Sequence, residues 1–190
     1  MTRQAILDAA KKLLWLQGFE GMSPRDVMDE SGAGQGSLYH HFRSKKDLAA
    51  AALDDIEGEL TEKARNAFGS GRAPLLRIRT YLMQARDGLK GCRLGRLANE
   101  RAVLDDGELR ARLDRYFRTV IGLLADALAE ARRDGALPKR INVDDLATLL
   151  LASVQGGFVL SRATQDAAAV TRATRGAWAL LSGLAAEVKK

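Results

Sequence analysis

The segment Gly32–Leu48, GAGQGSLYHHFRSKKDL, decides how the first third of the chain is interpreted, because it combines closely spaced glycines, two adjacent histidines and a basic cluster. Its glycines follow the pattern G-x-G-x-G, whereas a dinucleotide-binding loop has the pattern G-x-G-x-x-G after a strand. The residues before Gly32, RDVMDES, have a helical pattern. A nucleotide-binding loop is therefore not expected here.

The two histidines of this segment, His40 and His41, are the only ones in the chain. Neighbouring residues on a helix point about 100° apart, whereas two metal ligands on one helix face are three or four residues apart. A metal site is therefore not expected. The residues alone leave open that one histidine is packed and the other solvated.

Two short helices joined by a glycine turn explain this region better. Ser23 is a suitable N-cap, Pro24 a suitable first helical residue, and Gly32 a suitable helix end. A second short helix is predicted from about Gln35 to Phe42. This arrangement is a helix-turn-helix, which presents the N-terminus of its second helix to the major groove of DNA.

The second helix opens with small and polar residues suited to DNA. Gln35 carries the donor and acceptor that can bind base edges, and Gly36 lets the backbone approach DNA closely. Tyr39 and His40 are predicted on the exposed side, within reach of a phosphate or a base edge.

The chain of 190 residues has a net charge of +6, but residues 1–66 carry 9 basic and 11 acidic side chains, a net of −2. The remaining residues carry 21 and 13, a net of +8. A nucleic-acid interface must therefore depend on local cations. Lys45 and Lys46, at the predicted start of a long fourth helix, are expected to bind phosphates, although a lysine pair by itself also describes a solvated helix start.

Apolar residues recur at helical spacing along the whole chain, which contains three prolines, so the predicted fold class is all-α. The fourth helix is expected to run towards Phe68, and GSGRAP at residues 69–74 is the clearest break in composition. We therefore predict a helix-turn-helix domain over residues 1–68 and a larger helical domain over residues 69–190. Helices are predicted over 74–89, near 96–104, and over 107–135, 143–164 and 167–188.

Residues Leu7–Leu53 resemble the N-terminal domain of the TetR family of bacterial transcriptional regulators. The similarity lies in a glycine-aromatic pair after the first helix and a G-x-x-x-G-x-L-Y-x-H-F-x-x-K run. Met28 and Ala33 depart from the usual alanine and valine, a pair of changes that offset in volume. The resemblance implies that Arg25 reaches DNA, that Gln35, Gly36 and Ser37 lie near bases, and that Tyr39, His40, His41 and Lys45 contact the backbone or base edges.

The resemblance also implies that the second domain binds a small effector and pairs its last two helices with those of a second subunit. Candidate pocket residues, each of which could instead belong to the core or the dimer interface, are Tyr81, Met83, Arg86, Cys92, Leu97, Tyr116, Phe117, Phe158 and Trp178. Candidate dimer-interface residues are Leu151, Val154, Gly156, Val159, Ala177, Leu180 and Leu184. For the Gly156–Gly157 pair, a crossing within the chain or a kink is the alternative to a dimer seam.

Cys92 is the single cysteine, so it cannot form an internal disulfide. It lies in a glycine-flanked segment with nearby arginines, KGCRLGR, which leaves a redox or electrophile sensor open beside a structurally neutral cysteine. No signal peptide and no uninterrupted apolar run of about eighteen residues is recognised, so a cytoplasmic location is expected.

The sequence thus predicts a homodimeric regulator that binds operator DNA, needs no cofactor, and represses until a small ligand releases it. One alternative is a DNA-bound or partner-binding protein without an effector. Another is a small all-α enzyme, whose best candidate residues would be Glu100, Asp105 and Asp106. Against it, no catalytic motif is found, and no histidine lies outside the predicted DNA-binding helix.

Overall fold

The computed structural model describes residues 2–69 and 71–188. Within them the chain forms ten α-helices, one 3-10 turn and no strand, which confirms the all-α prediction. The helices are α1 (Arg3–Leu16), α2 (Gly18–Gly21), α3 (Pro24–Ser31), α4 (Gln35–His41), α5 (Lys45–Ala67), α6 (Pro74–Leu82), α7 (Arg101–Leu104), α8 (Gly107–Arg133), α9 (Val143–Ala163) and α10 (Ala169–Glu187), and the 3-10 turn covers Leu97–Asn99.

The helices group into two compact units. The first contains the residues up to Leu60 together with Cys92–Tyr116, and the second contains Thr61–Gly91 together with the residues from Phe117 onward. Both units are discontinuous along the chain, so the domain boundary at residues 68 and 69 stays a prediction. Ser70, within the segment that suggested this boundary, lies outside the described residues.

The core of the first unit forms where α1 packs against α3 and α4. One face of α1 is fully buried, because Ile6, Ala10 and Leu14 recur at helical spacing and are 0% exposed. Val27 of α3 and Leu38 of α4 are buried as well. This core holds the two short helices in place and leaves their polar faces outside.

The second unit is organised by α9 and α10, which pack along each other. A Cβ atom at Gly157 would lie 2.8 Å from the Cα of Val170, so glycine is required for this close approach. A Cβ atom at Gly156 would meet nothing within 4 Å. The two glycines of the pair therefore have different roles, and the crossing within the chain explains Gly157.

Helix α6 ends at Leu82, seven residues before the predicted end of its helix. The guanidinium of Arg86 donates hydrogen bonds to the carbonyls of Tyr81 (2.7 Å), Leu82 (2.8 Å) and Gln84 (3.0 Å). The carbonyls of Tyr81 and Leu82 lie in the last turn of α6, where carbonyls lack partners within the helix, so Arg86 caps the C-terminus of α6.

Among the described residues, α9 is long and apolar enough to cross a membrane, judged by length and composition alone. Core helices of soluble proteins pass the same test. Part of α9 packs against α10 within the chain, with Gly157 beside Val170 of α10.

Candidate nucleic-acid interface

The start of α3 is fixed by reciprocal hydrogen bonds. The backbone N–H of Asp26 donates to the Ser23 hydroxyl (3.1 Å), and the backbone N–H of Ser23 donates to the Asp26 carboxylate (2.9 Å). This capping box confirms Ser23 as the N-cap and Pro24 as the first helical residue. The hydrogen bonds from the Ser23 hydroxyl and N–H lower the pKa of Asp26.

The turn after α3 depends on Gly32, which has a φ of 69°, in the left-handed region that favours glycine. Ala33 is buried in the turn, and Gly34 is the N-cap of α4. Helix α4 then runs from Gln35 to His41, close to the predicted range. The structure thus has the predicted helix-turn-helix.

Helix α4 has an exposed polar face and a buried apolar face. Leu38 and Phe42 are only 2% and 3% exposed, whereas Tyr39 is 47% exposed. The other exposed residues of α4 are Gln35, Gly36 and His40, and the half-buried ones are Ser37 and His41. The structure therefore brings the predicted base-reading residues together on one accessible helix.

Gly36 is not required by packing within the chain. A Cβ atom built on it meets nothing within 4 Å, and its φ is not positive. A glycine at an exposed, unstrained helix position has no structural reason here.

The two histidines lie beside each other with ring centroids 5.0 Å apart. In the described part of the chain, no group of three or more His, Cys, Asp or Glu side chains is arranged to hold a metal ion. His40 is exposed and His41 is half-buried, which matches the alternative of one solvated and one partly packed ring.

Lys45 lies at the first position of α5 and contacts α2. Its Nζ donates a hydrogen bond to the Glu20 carbonyl (3.3 Å) and lies 4.7 Å from the centroid of the Phe19 ring. Both partners are uncharged, so the positive charge of Lys45 is not neutralised by them. Arg25 lies 4.0 Å from Asp29, and with both side chains highly exposed this pair is weak.

Lys46 has a different environment from Lys45. Its Nζ lies 2.8 Å from the Asp106 carboxylate and 3.2 Å from that of Glu108. The hydrogen bonds that the Lys46 ammonium donates to these two carboxylates raise its pKa. In this structure Lys46 is therefore held by acidic partners at the start of α8, a contact between residues 60 positions apart that no local pattern indicates.

Three acidic residues of α5, Asp54, Glu57 and Glu59, pair with arginines from later in the chain. Asp54 pairs with Arg112 (2.8 Å) and with Arg115 (2.9 Å), and Arg93 pairs with Glu59 (2.7 Å). All of these residues belong to the first unit. These ion pairs neutralise part of the negative charge of α5 within the first unit.

The short helices α2 and α7 cap each other. The backbone N–H of Glu20 donates to the Glu100 carboxylate (2.8 Å), and the backbone N–H of Ala102 donates to the Glu20 carboxylate (3.2 Å). A Cβ atom at Gly18 would lie 2.1 Å from Glu100 Oε1, so Gly18 also makes room for this carboxylate. Glu100, a candidate in the enzyme alternative, thus has a structural role.

The nine predicted pocket residues do not form one site within either unit. Cys92, Leu97 and Tyr116 belong to the first unit, and the other six belong to the second. Tyr81, Leu97 and Tyr116 are buried core residues, and the guanidinium of Arg86 caps the C-terminus of α6. Met83 is exposed, and Cys92, Phe117, Phe158 and Trp178 are half-buried.

An apolar groove of about 830 Å³ lies between α9 and α10. Of the predicted dimer residues, Gly156, Ala177, Leu180 and Leu184 line it. Leu151 and Val154 are instead 4% and 2% exposed, so they pack within the chain and have no surface to offer a partner. Val159 is exposed but does not line the groove.

Three large apolar side chains that line this groove are exposed to solvent. Leu149, Leu160 and Leu180 are 55%, 53% and 71% exposed. A contiguous apolar surface of this kind is typical of an interaction site.

Comparison with known proteins agrees with this geometry. The family model for bacterial regulatory proteins of the tetR family matches residues 6–52, and the model for the tetracyclin repressor-like C-terminal domain matches residues 74–177. The chain is 29% identical over 172 residues to an uncharacterised HTH-type transcriptional regulator in the lacX 3′ region of Lactococcus lactis subsp. lactis, with 87% of this chain and 85% of that protein covered.

Two further relatives are similar over most of the chain. The HTH-type transcriptional repressor NemR of Escherichia coli strain K12 is 30% identical over 146 residues, with 72% of this chain and 71% of that protein covered. The crystal structure of regulatory protein TetR from Rhodobacter sphaeroides superposes with a TM-score of 0.81 at 25% identity, covering 92% of this chain and 96% of that one. The chain therefore belongs to the TetR family of bacterial helix-turn-helix transcriptional regulators.

Proposed function

We propose that this regulator represses transcription by binding its operator as a homodimer through α4, and that a small molecule bound to the second domain releases it. The single observation that carries the proposal is the exposed polar face of α4, whose apolar residues anchor it to the core. Regulators of the TetR family bind operator DNA and small effectors and are dimeric, and repression relieved by a ligand is typical of them. The homologues are soluble transcriptional regulators and not enzymes, and we propose that this chain is likewise cytoplasmic and without enzymatic activity.

The proposed base contacts come from the N-terminal half of α4. Gln35 offers a donor and an acceptor to base edges, and Ser37 offers a hydroxyl. Gly36 lacks a side chain, so the backbone of α4 can approach the DNA closely there. Tyr39 and His40 extend from the exposed face to the backbone or a base edge, and His41 is placed for a backbone contact.

The proposed phosphate contacts are cations near the two ends of the motif. Arg25 lies in the first turn of α3, and Lys45 lies at the start of α5 with uncharged partners. Lys46 joins them only where it is released from Asp106 and Glu108. A small number of phosphate contacts predicts a modest dependence of affinity on salt.

The proposed partner for the apolar groove of α9 and α10 is a second copy of the chain. Burial of Leu149, Leu160 and Leu180 against the partner's equivalent helices would remove their apolar surface from water. A dimer presents two copies of α4, which reach adjacent major grooves when their spacing is about 34–36 Å. Gly156, Ala177 and Leu184 are the proposed interface residues beside them.

The proposed effector domain comprises residues 69–190, and the proposed DNA-binding domain comprises residues 1–68. An effector acts by binding one conformation of the protein more tightly than another, so its effect on DNA affinity is limited by that difference. The proposed pocket candidates within the second unit are the half-buried aromatic residues Phe117, Phe158 and Trp178 with Met83.

The proposed function is tested by fluorescence anisotropy with duplex DNA from immediately upstream of the coding region, titrated at several salt concentrations. We expect sequence-dependent binding whose log affinity falls linearly with log salt, by about 0.9 per phosphate contact. The variants Tyr39→Ala and Lys45→Ala should weaken binding, and Lys45→Ala should also flatten the salt dependence.

The matched control is Lys139→Ala, which removes an exposed lysine from the connection between α8 and α9. Its affinity and salt dependence should equal those of the wild type. Full retention of affinity by both Tyr39→Ala and Lys45→Ala, or equal binding to scrambled DNA, would show that α4 is not the DNA-binding surface.

A further inference from the structure

The start of α5 and the start of α8 meet in an ion-pair cluster within the first unit. Lys46 is the second residue of α5, Asp106 immediately precedes α8, and Glu108 is its second residue. Lys46 Nζ lies 2.8 Å from Asp106 Oδ2 and 3.2 Å from Glu108 Oε2. The Lys46 side chain is 46% exposed, so solvent and a polyanion such as DNA can reach it.

The two oxygens of Asp106 have separate tasks. Oδ1 accepts hydrogen bonds from the backbone N–H groups of Glu108 (3.0 Å) and Leu109 (3.1 Å), which caps the N-terminus of α8. Oδ2 binds Lys46. Asparagine is as good an N-cap as aspartate, so Asp106→Asn removes the charge while it keeps the cap.

Lys46 and Lys45 are neighbours at the same helix start, but their ammonium groups have different partners. Lys45 contacts a carbonyl and an aromatic ring, whereas Lys46 contacts two carboxylates. A cation that already has two carboxylate partners gains little from a phosphate unless those contacts open. The acidic pair therefore competes with DNA for Lys46.

We propose that Asp106 and Glu108 are affinity-setting residues, which keep Lys46 off the phosphate backbone and so hold operator affinity below its maximum. The inference rests on the proposed DNA-binding function. It assigns a role in DNA binding to two acidic residues that themselves do not contact DNA. It also makes Lys46 a conditional phosphate contact, because its availability depends on the start of α8.

Three variants test the proposal: Asp106→Asn/Glu108→Gln, Lys46→Ala, and the triple variant that combines them. The probe is a duplex that the wild-type protein selects from a random-sequence pool, and the readouts are anisotropy titrations at several salt concentrations with thermal melting of each variant. The control, Asp105→Asn/Asp134→Asn, makes the same change in charge at two exposed aspartates that do not contact Lys46.

We expect the double variant to bind the duplex about three- to tenfold more tightly. The gain is small because half-exposed ion pairs are weak, but it is counted twice because two heads bind each operator. Its salt dependence should steepen by about 0.9 per head, because one phosphate contact is added to each. Lys46→Ala should leave the wild-type salt dependence unchanged, but it should abolish the gain in the triple variant.

Two results would overturn the proposal. One is an unchanged salt dependence in Asp106→Asn/Glu108→Gln, or a gain in affinity that the control variant or the triple variant shows equally. Either result would mean that Lys46 gains no phosphate contact in the double variant. The other is a flatter salt dependence in Lys46→Ala alone, which would mean that Lys46 already contacts a phosphate. If the wild-type protein selects no duplex from the pool, the proposed function itself fails, and this inference fails with it.

Discussion

Replacing Gly36 with alanine separates the stability of the fold from its contact with DNA. The added methyl group has open space around it within the chain, and the backbone at Gly36 needs no positive φ. Alanine also favours helices more than glycine does. We therefore expect the variant to fold at least as stably as the wild type and to bind operator DNA more weakly.

The two effects have opposite signs and different sizes. Alanine in place of glycine stabilises a helix interior by ~1 kcal/mol, and by less at Gly36 because it is the second residue of α4. A methyl group forced into a close contact costs about 1–3 kcal/mol, and an operator bound by two heads pays this cost twice. Even the lower value gives about 2 kcal/mol, which corresponds to about a 30-fold loss of affinity.

The assay is an anisotropy titration combined with thermal melting, and Gly58→Ala is the matched control. Gly58 is an exposed residue in the interior of α5, where a Cβ atom would also meet nothing within 4 Å. The control should gain about 2–4 °C in melting temperature for each ~1 kcal/mol and keep the wild-type affinity. If Gly36→Ala binds the operator as tightly as Gly58→Ala does, the backbone of α4 does not approach DNA closely, and the placement of α4 is refuted.

Three further predictions test the capping box and the two faces of α9 and α10. Gly157→Ala should destabilise the fold by about 1–3 kcal/mol in chemical denaturation because its methyl group meets the backbone of α10, whereas Gly156→Ala should not; equal effects would contradict the assigned crossing. Asp26 has a lowered pKa from its hydrogen bonds with Ser23, so its contribution to stability is present above the unfolded value of 3.8 and is lost as pH falls through the lower folded value. Urea unfolding from about pH 5 to about pH 2.5 should therefore show a larger loss for the wild type than for Asp26→Asn, and parallel curves would exclude this role. Leu180→Asp should give a folded monomer in sedimentation with weakened DNA binding, whereas Leu76→Asp, which changes an exposed leucine of α6, should stay dimeric; a dimeric Leu180→Asp would place the interface elsewhere.

The parts of the fold that the sequence predicts well are those with local causes. Ser23 and Pro24 start α3, and Gly32 ends it. Each of these signals acts within three or four residues, so it can be recognised without the tertiary structure. Leu38 and Phe42, which are both buried, are four residues apart, and this helical spacing can likewise be recognised from the sequence.

The parts that were missed depend on contacts between distant residues. The pattern of residues 74–89 indicates one helix, but the Arg86 side chain folds back on the carbonyls at the end of α6. Glu20 and Glu100 are 80 residues apart, and no local pattern shows that they cap each other's short helices. Periodicity shows where an apolar face lies, but it does not say which partner covers that face.

The candidate regulatory residues show this limit most clearly. Leu151 and Leu180 both appear as apolar residues at helical spacing, and both were predicted at the dimer interface. In the structure Leu151 of α9 is 4% exposed and Leu180 of α10 is 71% exposed. Helical spacing alone does not distinguish the buried leucine from the exposed one.

Charge follows the same logic, because a net charge counts side chains without their partners. Asp54 contributes to the net charge of −2 over residues 1–66, but it is paired with Arg112, which lies far along the chain. Lys46 contributes a positive charge to the same count, yet it too is held by acidic residues from outside that range. Exposed charges act over a Debye length of about 10 Å, so DNA responds to the charges left near α4 after this pairing. Arg25 and Lys45 remain on that surface, and operator affinity should therefore follow the state of a few cations and not the charge of the domain.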